Sequence, residues 1–560
     1  MLKLGLEKQI FRIVLIVAVT VTLVMAPYSV TDPINLPKMV LLVVLVGGIA
    51  SLLIFNLKLL VTPSQKVIFA ISALAVINLL LVLTVHRPLE SEIFYGTSGR
   101  NTGVLTYTAL IFLMLGCVVI SSEKVIVGIL RVLFLVGLVL LAYGNFQFFG
   151  FEPFRFISPY ESKVIGTFGN PNFQSAFVGI LGSAIAPILL MRYRRTSQLI
   201  LGFGFIVLCA LSIYQTKSIQ GFFALTFGLG AVVLIYFISH GRRRLARLSW
   251  LVLISGIFLI ALSFLNIGPI ASIIYKGSMA ARVFYWKTAL KIMVDNPLTG
   301  IGLDQFGDWL RKYRSTEEVA TNLTADSAHN IYLDVGVGGG IPLLMLFLLI
   351  TCLGVLSIIR VVKRGNQIPA DYFGLVGGWV AFQAQSLISI NQIGIAIWGW
   401  IFIGLLIGYE INTRTIDSSS VERVKNVGQK NSKVVEVHPK FLVVSCLGIV
   451  LGLSLALPPF VSAQNYFESF KTGKISEIKK AVYKEPYHRR NFLQASDIFK
   501  QNLYTADSLE VARAGVEHFP NSFWLWSRVE ELSPKDSALH ADAVKKLHYL
   551  DPNNPAYALP

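Results

Sequence analysis

The chain has 560 residues, is 54% hydrophobic and only 14% charged, and has a mean hydropathy of +0.65. Soluble domains carry about 25% charged residues, so the composition excludes an ordinary soluble enzyme and predicts an all-α, polytopic helical membrane protein. The net charge of +18 does not signal nucleic acid: with a cytoplasmic N-terminus, almost all the excess falls in inward-facing loops such as Arg192-Tyr193-Arg194-Arg195, Arg242-Arg243-Arg244 and Lys363-Arg364.

Apolar runs near the roughly 20 residues needed to cross hydrocarbon predict spans at 12–30, 38–57, 66–85, 103–121, 132–149, 172–191, 198–215, 219–239, 249–267, 330–359, 372–390, 392–410 and 441–461, about thirteen helices in all. The predicted organisation is therefore transmembrane helices over 1–266, a large extracytoplasmic loop at 267–329 and further spans over 330–410. A flexible cytoplasmic linker at 411–440, a last span at 441–461 and an extracytoplasmic domain at 462–560 complete it. The N-terminus is expected inside and the C-terminal domain outside. In that domain Pro486, Pro520 and Pro552 recur at steps of 34 and 32 residues, a period that predicts tetratricopeptide-like helix pairs. Cys117, Cys209, Cys352 and Cys446 all lie in apolar spans and are expected as small core residues.

Candidate chemistry lies in the polar breaks. Between 86 and 102, Gly99-Arg100 sits in a glycine-rich turn, where the arginine is either a phosphate-binding group or an ordinary solvated turn residue. At Gly169-Asn170-Pro171-Asn172 a strong turn opens a helix, with Asn172 the expected cap. Lys217 and Gln220 occupy a short turn between two spans, either lining a cavity or completing the turn. Arg282 begins an amphipathic segment with Tyr285 and Trp286; it binds phosphate in a bidentate manner or snorkels beside interfacial aromatics. His329 closes the large loop, where an imidazole can accept a proton near neutral pH or simply cap the next helix. Gln385, with Gln383, Asn391 and Gln392, forms either a polar pocket or interhelical hydrogen bonds. The chain has no G-x-x-x-x-G-K-[ST], no H-E-x-x-H and no Asp-x-Asp, so neither a bound metal nor another cofactor is expected.

Four segments in order resemble the O-antigen ligase/polymerase family of bacterial membrane glycosyltransferases. These are Gly166-Thr167-Phe168-Gly169-Asn170-Pro171-Asn172; Arg282 and Trp286 with Asn296-Pro297-Leu298-Thr299-Gly300-Ile301-Gly302; His329-Asn330-Ile331-Tyr332-Leu333; and Gly336 with Gly339-Gly340. The resemblance covers roughly residues 10–410, and some members carry a comparable helical-repeat extension. It implies a GT-C-like architecture and metal-independent transfer of a glycan from polyprenyl diphosphate to an acceptor hydroxyl on a glycan, lipid or protein. By position it implies His329 as the base and Arg282 as a diphosphate-binding arginine. The chain departs from the family pattern at Ser218-Ile219-Gln220, where many members have Ser-Arg-Gly; Lys217 offers a point charge there without the planar fork. Ligation of a finished glycan and polymerisation of repeat units remain open. So do a transporter or flippase of lipid-linked sugars, and a scaffold whose tail binds envelope proteins.

Overall fold

The structure, a computed structural model, describes residues 2–86, 90–154, 156, 159–192, 196–269, 271–274, 277–321, 323–365, 367–417 and 438–558. Among these residues the secondary structure is helical, without strands. The long helices are α1 (Leu2–Leu23), α2 (Asn35–Phe55), α3 (Lys66–Val85), α4 (Val104–Ile120), α5 (Glu123–Phe148), α6 (Pro171–Met191), α7 (Thr196–Gln215), α8 (Gln220–Ser239) and α9 (Arg243–Phe264). The large loop contributes α10 (Gly277–Asp295) and α11 (Phe306–Tyr313) before α12 (Ile331–Lys363), α13 (Ala370–Ser386), α14 (Ile393–Asp417) and α15 (Pro439–Thr472). Five shorter helices follow: α16 (Ile475–Lys484), α17 (Arg489–Gln501), α18 (Thr505–His518), α19 (Phe523–Leu532) and α20 (Ala538–Leu550).

Among the described residues ten helices are long and apolar enough to cross a membrane, with α4 shorter but apolar. The protein is a polytopic helical membrane protein. A helix lies at every predicted span, though the ends shift and α1, α4 and α13 are not among those ten, where about thirteen spans were expected. The first begins at Leu2 and stops at Leu23, because Pro27 and the Thr31-Asp32-Pro33 turn break it before residue 30. The last runs on to Thr472, so the expected boundary at 461–462 falls inside one continuous helix. The predicted linker coincides mostly with 418–437, outside the described residues.

Lipid supplies no hydrophobic force between helices, so close packing depends on small side chains. The clearest case joins α2 to α15, where a Cβ on Gly448 would collide with the Gly47 carbonyl, and Ser51 Oγ donates to the Val444 carbonyl at 2.9 Å. Cys117 and Cys209 are buried as expected, but Cys352 and Cys446 are exposed on the outside of the bundle, so only two of the four are core residues.

Candidate active site

The polar loop is not draped on the bundle; it is locked to it by backbone exchange. Helix α12 is broken at Gly340 (φ 75°), which frees main-chain groups inside the helix. The Pro297–Gly302 segment takes them up: Ile301 N–H donates to the Val337 carbonyl (2.9 Å), Gly302 N–H to the Gly338 carbonyl (3.1 Å), and Ile341 N–H returns to the Pro297 carbonyl (2.7 Å). Each polar group so satisfied would otherwise cost free energy at membrane depth. A side chain at Gly340 would sit 2.6 Å from Leu298 and 2.8 Å from the Pro297 oxygen, on top of an unfavourable φ.

The next residues organise a second layer. Asp304 accepts from Thr97 N–H (3.2 Å), Thr102 N–H (3.1 Å) and Thr102 Oγ1 (2.7 Å), so the glycine-rich turn winds round its carboxylate. Arg100, a half-buried residue of that turn, pairs with Asp304 (3.2 Å) and lies 3.9 Å from Asp334, and also donates to the Asp326 carbonyl. Asp334 in turn accepts from Ser327 Oγ (2.6 Å) and Ala328 N–H (2.8 Å), and Ser327 Oγ accepts from His329 N–H (2.9 Å). His329 has φ 52°, a conformation sparsely populated by residues other than glycine, and this chain of bonds holds it there. Asn330, not His329, caps α12, accepting from Tyr332 and Leu333 N–H. The imidazole is left free to face a cavity, stacked beside Tyr285 with ring centres 5.9 Å apart.

That cavity, of about 530 Å³, is bounded by Asp32, Arg100, Tyr160, Asn172, Gln220, Arg282, Asp326, His329 and Arg490, among others. Arg282 lies on α10, whose apolar face (Phe284, Tyr285, Ala289, Ile292) packs with Phe306, Leu310 and Val337 into a small core of its own. The guanidinium is therefore buried rather than snorkelling. It donates to Met279 Sδ, and among the described residues its Nε has no partner and no carboxylate forms an ion pair with it. Burial presses its pKa down from the usual arginine range. Burial first, and then the charges of Arg282 and Arg100, push His329 down to about 4, against a weaker opposing pull from Asp326. The imidazole is neutral at physiological pH and can accept a proton.

The structure thus brings His329, Arg282, Arg100 and Gln220 to one cavity, with the Gln220 Oε1 unpartnered. Two expected residues are elsewhere. Lys217 lies in a left-handed turn (φ 55°) that directs its exposed side chain to an ion pair with Glu161, away from the cavity. Gln385 is buried behind the wall, accepting from Gln220 Nε2 at 3.2 Å, so it supports Gln220 without lining the space. The cap expected at Asn172 is instead Asn170, which accepts from Asn172 N–H at 2.8 Å; Asn172 Oδ1 accepts from Ser218 Oγ at 2.7 Å. Sequence reasoning missed Asp304 and Asp334, which act through backbone groups, and Arg490, which comes from the C-terminal helices.

Beside the cavity, a second space of about 460 Å³ is almost wholly apolar, lined by Phe223, Phe227, Ile257, Phe264, Trp286 and Leu387 with others. The two share neighbouring residues along the chain: Asn330 borders one and His329 the other, as do Ile388 and Ser389. Residues 204–348 match the family model described as O-antigen ligase. The chain carries an O-antigen ligase domain. The matched segment contains Lys217, Gln220, Arg282, the Pro297–Gly302 clamp, His329 and the Gly340 break, but not Arg100 or Arg490. The O-antigen ligase match supports an enzyme of surface-polysaccharide assembly and a glycosyl-transfer type of reaction. A search of curated proteins finds no match to the chain.

Proposed function

We propose that this protein transfers a glycan from polyprenyl diphosphate to an acceptor hydroxyl at the outer face of the cytoplasmic membrane, as an O-antigen ligase-like transferase. The observation that carries the reading is Arg282: a buried guanidinium without a carboxylate partner, facing the same cavity as a neutral imidazole. A buried unpaired cation is costly, and a diphosphate entering the cavity removes that cost by pairing with it. The apolar space next door accepts the prenyl chain while the head group stays among polar residues. Basic turns such as Arg242–Arg244 and Arg364 lie at the opposite end of the bundle from the loop and tail, which supports an outward-facing site.

In the reaction, the acceptor oxygen attacks the anomeric carbon and its proton passes to the His329 imidazole. The bond from that carbon to the phosphate oxygen breaks, its electron pair leaves with polyprenyl diphosphate, and the anomeric configuration inverts. Arg282 stabilises the charge that grows on the leaving group, which fixed donors do without reorganisation. The same anion cancels part of the field that holds His329 down, so the base strengthens when donor is bound. Arg100, committed to Asp304 and Asp334, holds the His329 turn in place.

The test is reconstituted full-length protein with a polyprenyl-diphosphate glycan and a panel of acceptors. His329→Ala is expected to lower kcat about 100- to 10,000-fold, the usual contribution of a general base. Arg282→Ala is expected to lose transfer by a comparable factor. Wild-type rates in both variants would refute the site. The acceptor that is used, a lipid core, a protein or a second repeat unit, decides between ligation and polymerisation.

A further inference from the structure

The C-terminal helices do not hang free of the bundle. Arg489 N–H donates to Glu92 Oε1 (3.1 Å), its Nε lies 3.1 Å from Glu92 Oε2, and it also pairs with Asp308. Ser91 Oγ donates to the Tyr487 carbonyl (2.8 Å), and Tyr95 meets Tyr487 edge-on at 5.5 Å. At the far end Arg314 makes a buried two-point pair with Asp551, and Arg311 lies over the Phe523 ring at 4.1 Å. These contacts fix the start of α17 above the cavity. Arg489 is consumed by them; Arg490, the next residue, faces the cavity instead.

Arg490 is exposed, and among the described residues it forms no ion pair. Asp32, the carboxylate that attracts Arg490 across the cavity wall without closing to an ion pair, is already occupied by the N–H groups of Ile34, Asn35, Leu36 and Gly99. Its guanidinium lies beside Gly99: a Cβ there would be in ordinary contact with Arg490 Nη1, at 3.8 Å. Two arginines outside any ion pair among the described residues, Arg282 from the large loop and Arg490 from the tail, thus border one space.

We propose that Arg490 is an anion-binding residue of the transferase site, contributed by the C-terminal domain. The inference rests on the function proposed above and extends it, because it makes the tail a wall of the site. The recognised group is an oxyanion, supplied either by the carrier diphosphate or by a carboxylate on a sugar of the glycan.

The experiment uses the reconstituted full chain with Arg490→Ala, Arg490→Lys and, as a control on the exposed surface of the tail, Arg513→Ala. Each is assayed with a neutral-glycan donor, a uronic-acid-bearing donor and inorganic pyrophosphate as competitor. Loss of a charged hydrogen bond predicts kcat/KM lower by about 10- to 100-fold in Arg490→Ala, partly restored in Arg490→Lys and unchanged in Arg513→Ala. Pyrophosphate inhibition weakened by a similar factor assigns the contact to the diphosphate. A defect confined to the uronic-acid donor, with pyrophosphate inhibition unaltered, assigns it to the glycan. Arg490→Ala equal to wild type in every arm, while His329→Ala is inactive, overturns this inference alone. An active His329→Ala overturns the site reading and this inference with it. A lower Tm with rates that lysine does not restore, and unchanged pyrophosphate inhibition, shows a purely structural arginine and also overturns it.

Discussion

Asp551→Ala is the sharpest probe of how the tail is held. In the native protein Arg314 and Asp551 are 2% and 0% exposed at their side chains, and Arg314 Nε donates to Asp551 Oδ1 at 2.9 Å while Nη2 reaches Oδ2. Arg314 Nη1 already lacks a partner, so no other group stands ready to take over the charge. Removing one member of such a pair costs roughly 3–5 kcal/mol, because the other charge stays buried and uncompensated. At about 1.4 kcal/mol per tenfold, the docking equilibrium of α20 falls by roughly two to three and a half orders of magnitude. Hydrogen exchange in detergent or nanodiscs reads this directly: amides of α20 should exchange faster, whereas α2 and α15 should not change. The double variant Arg314→Met with Asp551→Leu should recover most of the loss, since well-packed apolar replacements of a buried pair are often neutral. Unaltered exchange in Asp551→Ala, or a double variant as loose as the single one, would refute the argument.

Three further outcomes follow from the site. With His329 at about 4, below its ordinary 6.5, the neutral base persists down to mildly acidic pH. The acid limb of kcat/KM should therefore have its midpoint near 4, and in residually active Arg282→Ala it should move upward because a cationic neighbour is gone; a limb near 6.5 in the wild type would contradict the burial argument. The same depression means that the unfolded chain binds more protons between about 4 and 6.5, so this group's contribution to stability falls as pH drops through that window. Asp334→Ala removes the acceptor for Ser327 and Ala328 and should lower kcat by about tenfold or more with little change in KM, since His329 is displaced rather than lost. A change in KM alone would argue against that positioning role.

The spans were legible because lipid imposes a length and an apolar composition on each one. Helix ends were less so: Leu23 and Thr472 are set by a proline-containing turn and by a helix that simply continues into the tail, where Tyr466 joins the α17–α18 core. Arg282 and His329 stood out as polar groups at the edge of apolar runs. Lys217 stood out for the same reason, yet a positive φ turned it to Glu161. Asp304 and Asp334 carried no local signal, because their partners are main-chain amides, the hydroxyls of Thr102 and Ser327, and Arg100, brought together only by the fold. Arg490 was invisible for a related reason: its neighbours in space come from the other end of the chain. The tetratricopeptide-like reading of the tail remains an expectation; the structure describes consecutive short helices packed on one another around Phe492, Val511 and Leu525.

The glycine-to-glycine seam between α2 and α15 has a consequence for the tail. Because that seam fastens the base of the domain to the bundle, the encounter between α17 and the loop is intramolecular, at an effective concentration set by geometry alone. The contacts at Glu92, Asp308 and Asp551 then have only to hold the domain in place, not to recruit it. The same domain severed from its span would have to find the loop by diffusion, and would meet it without that advantage.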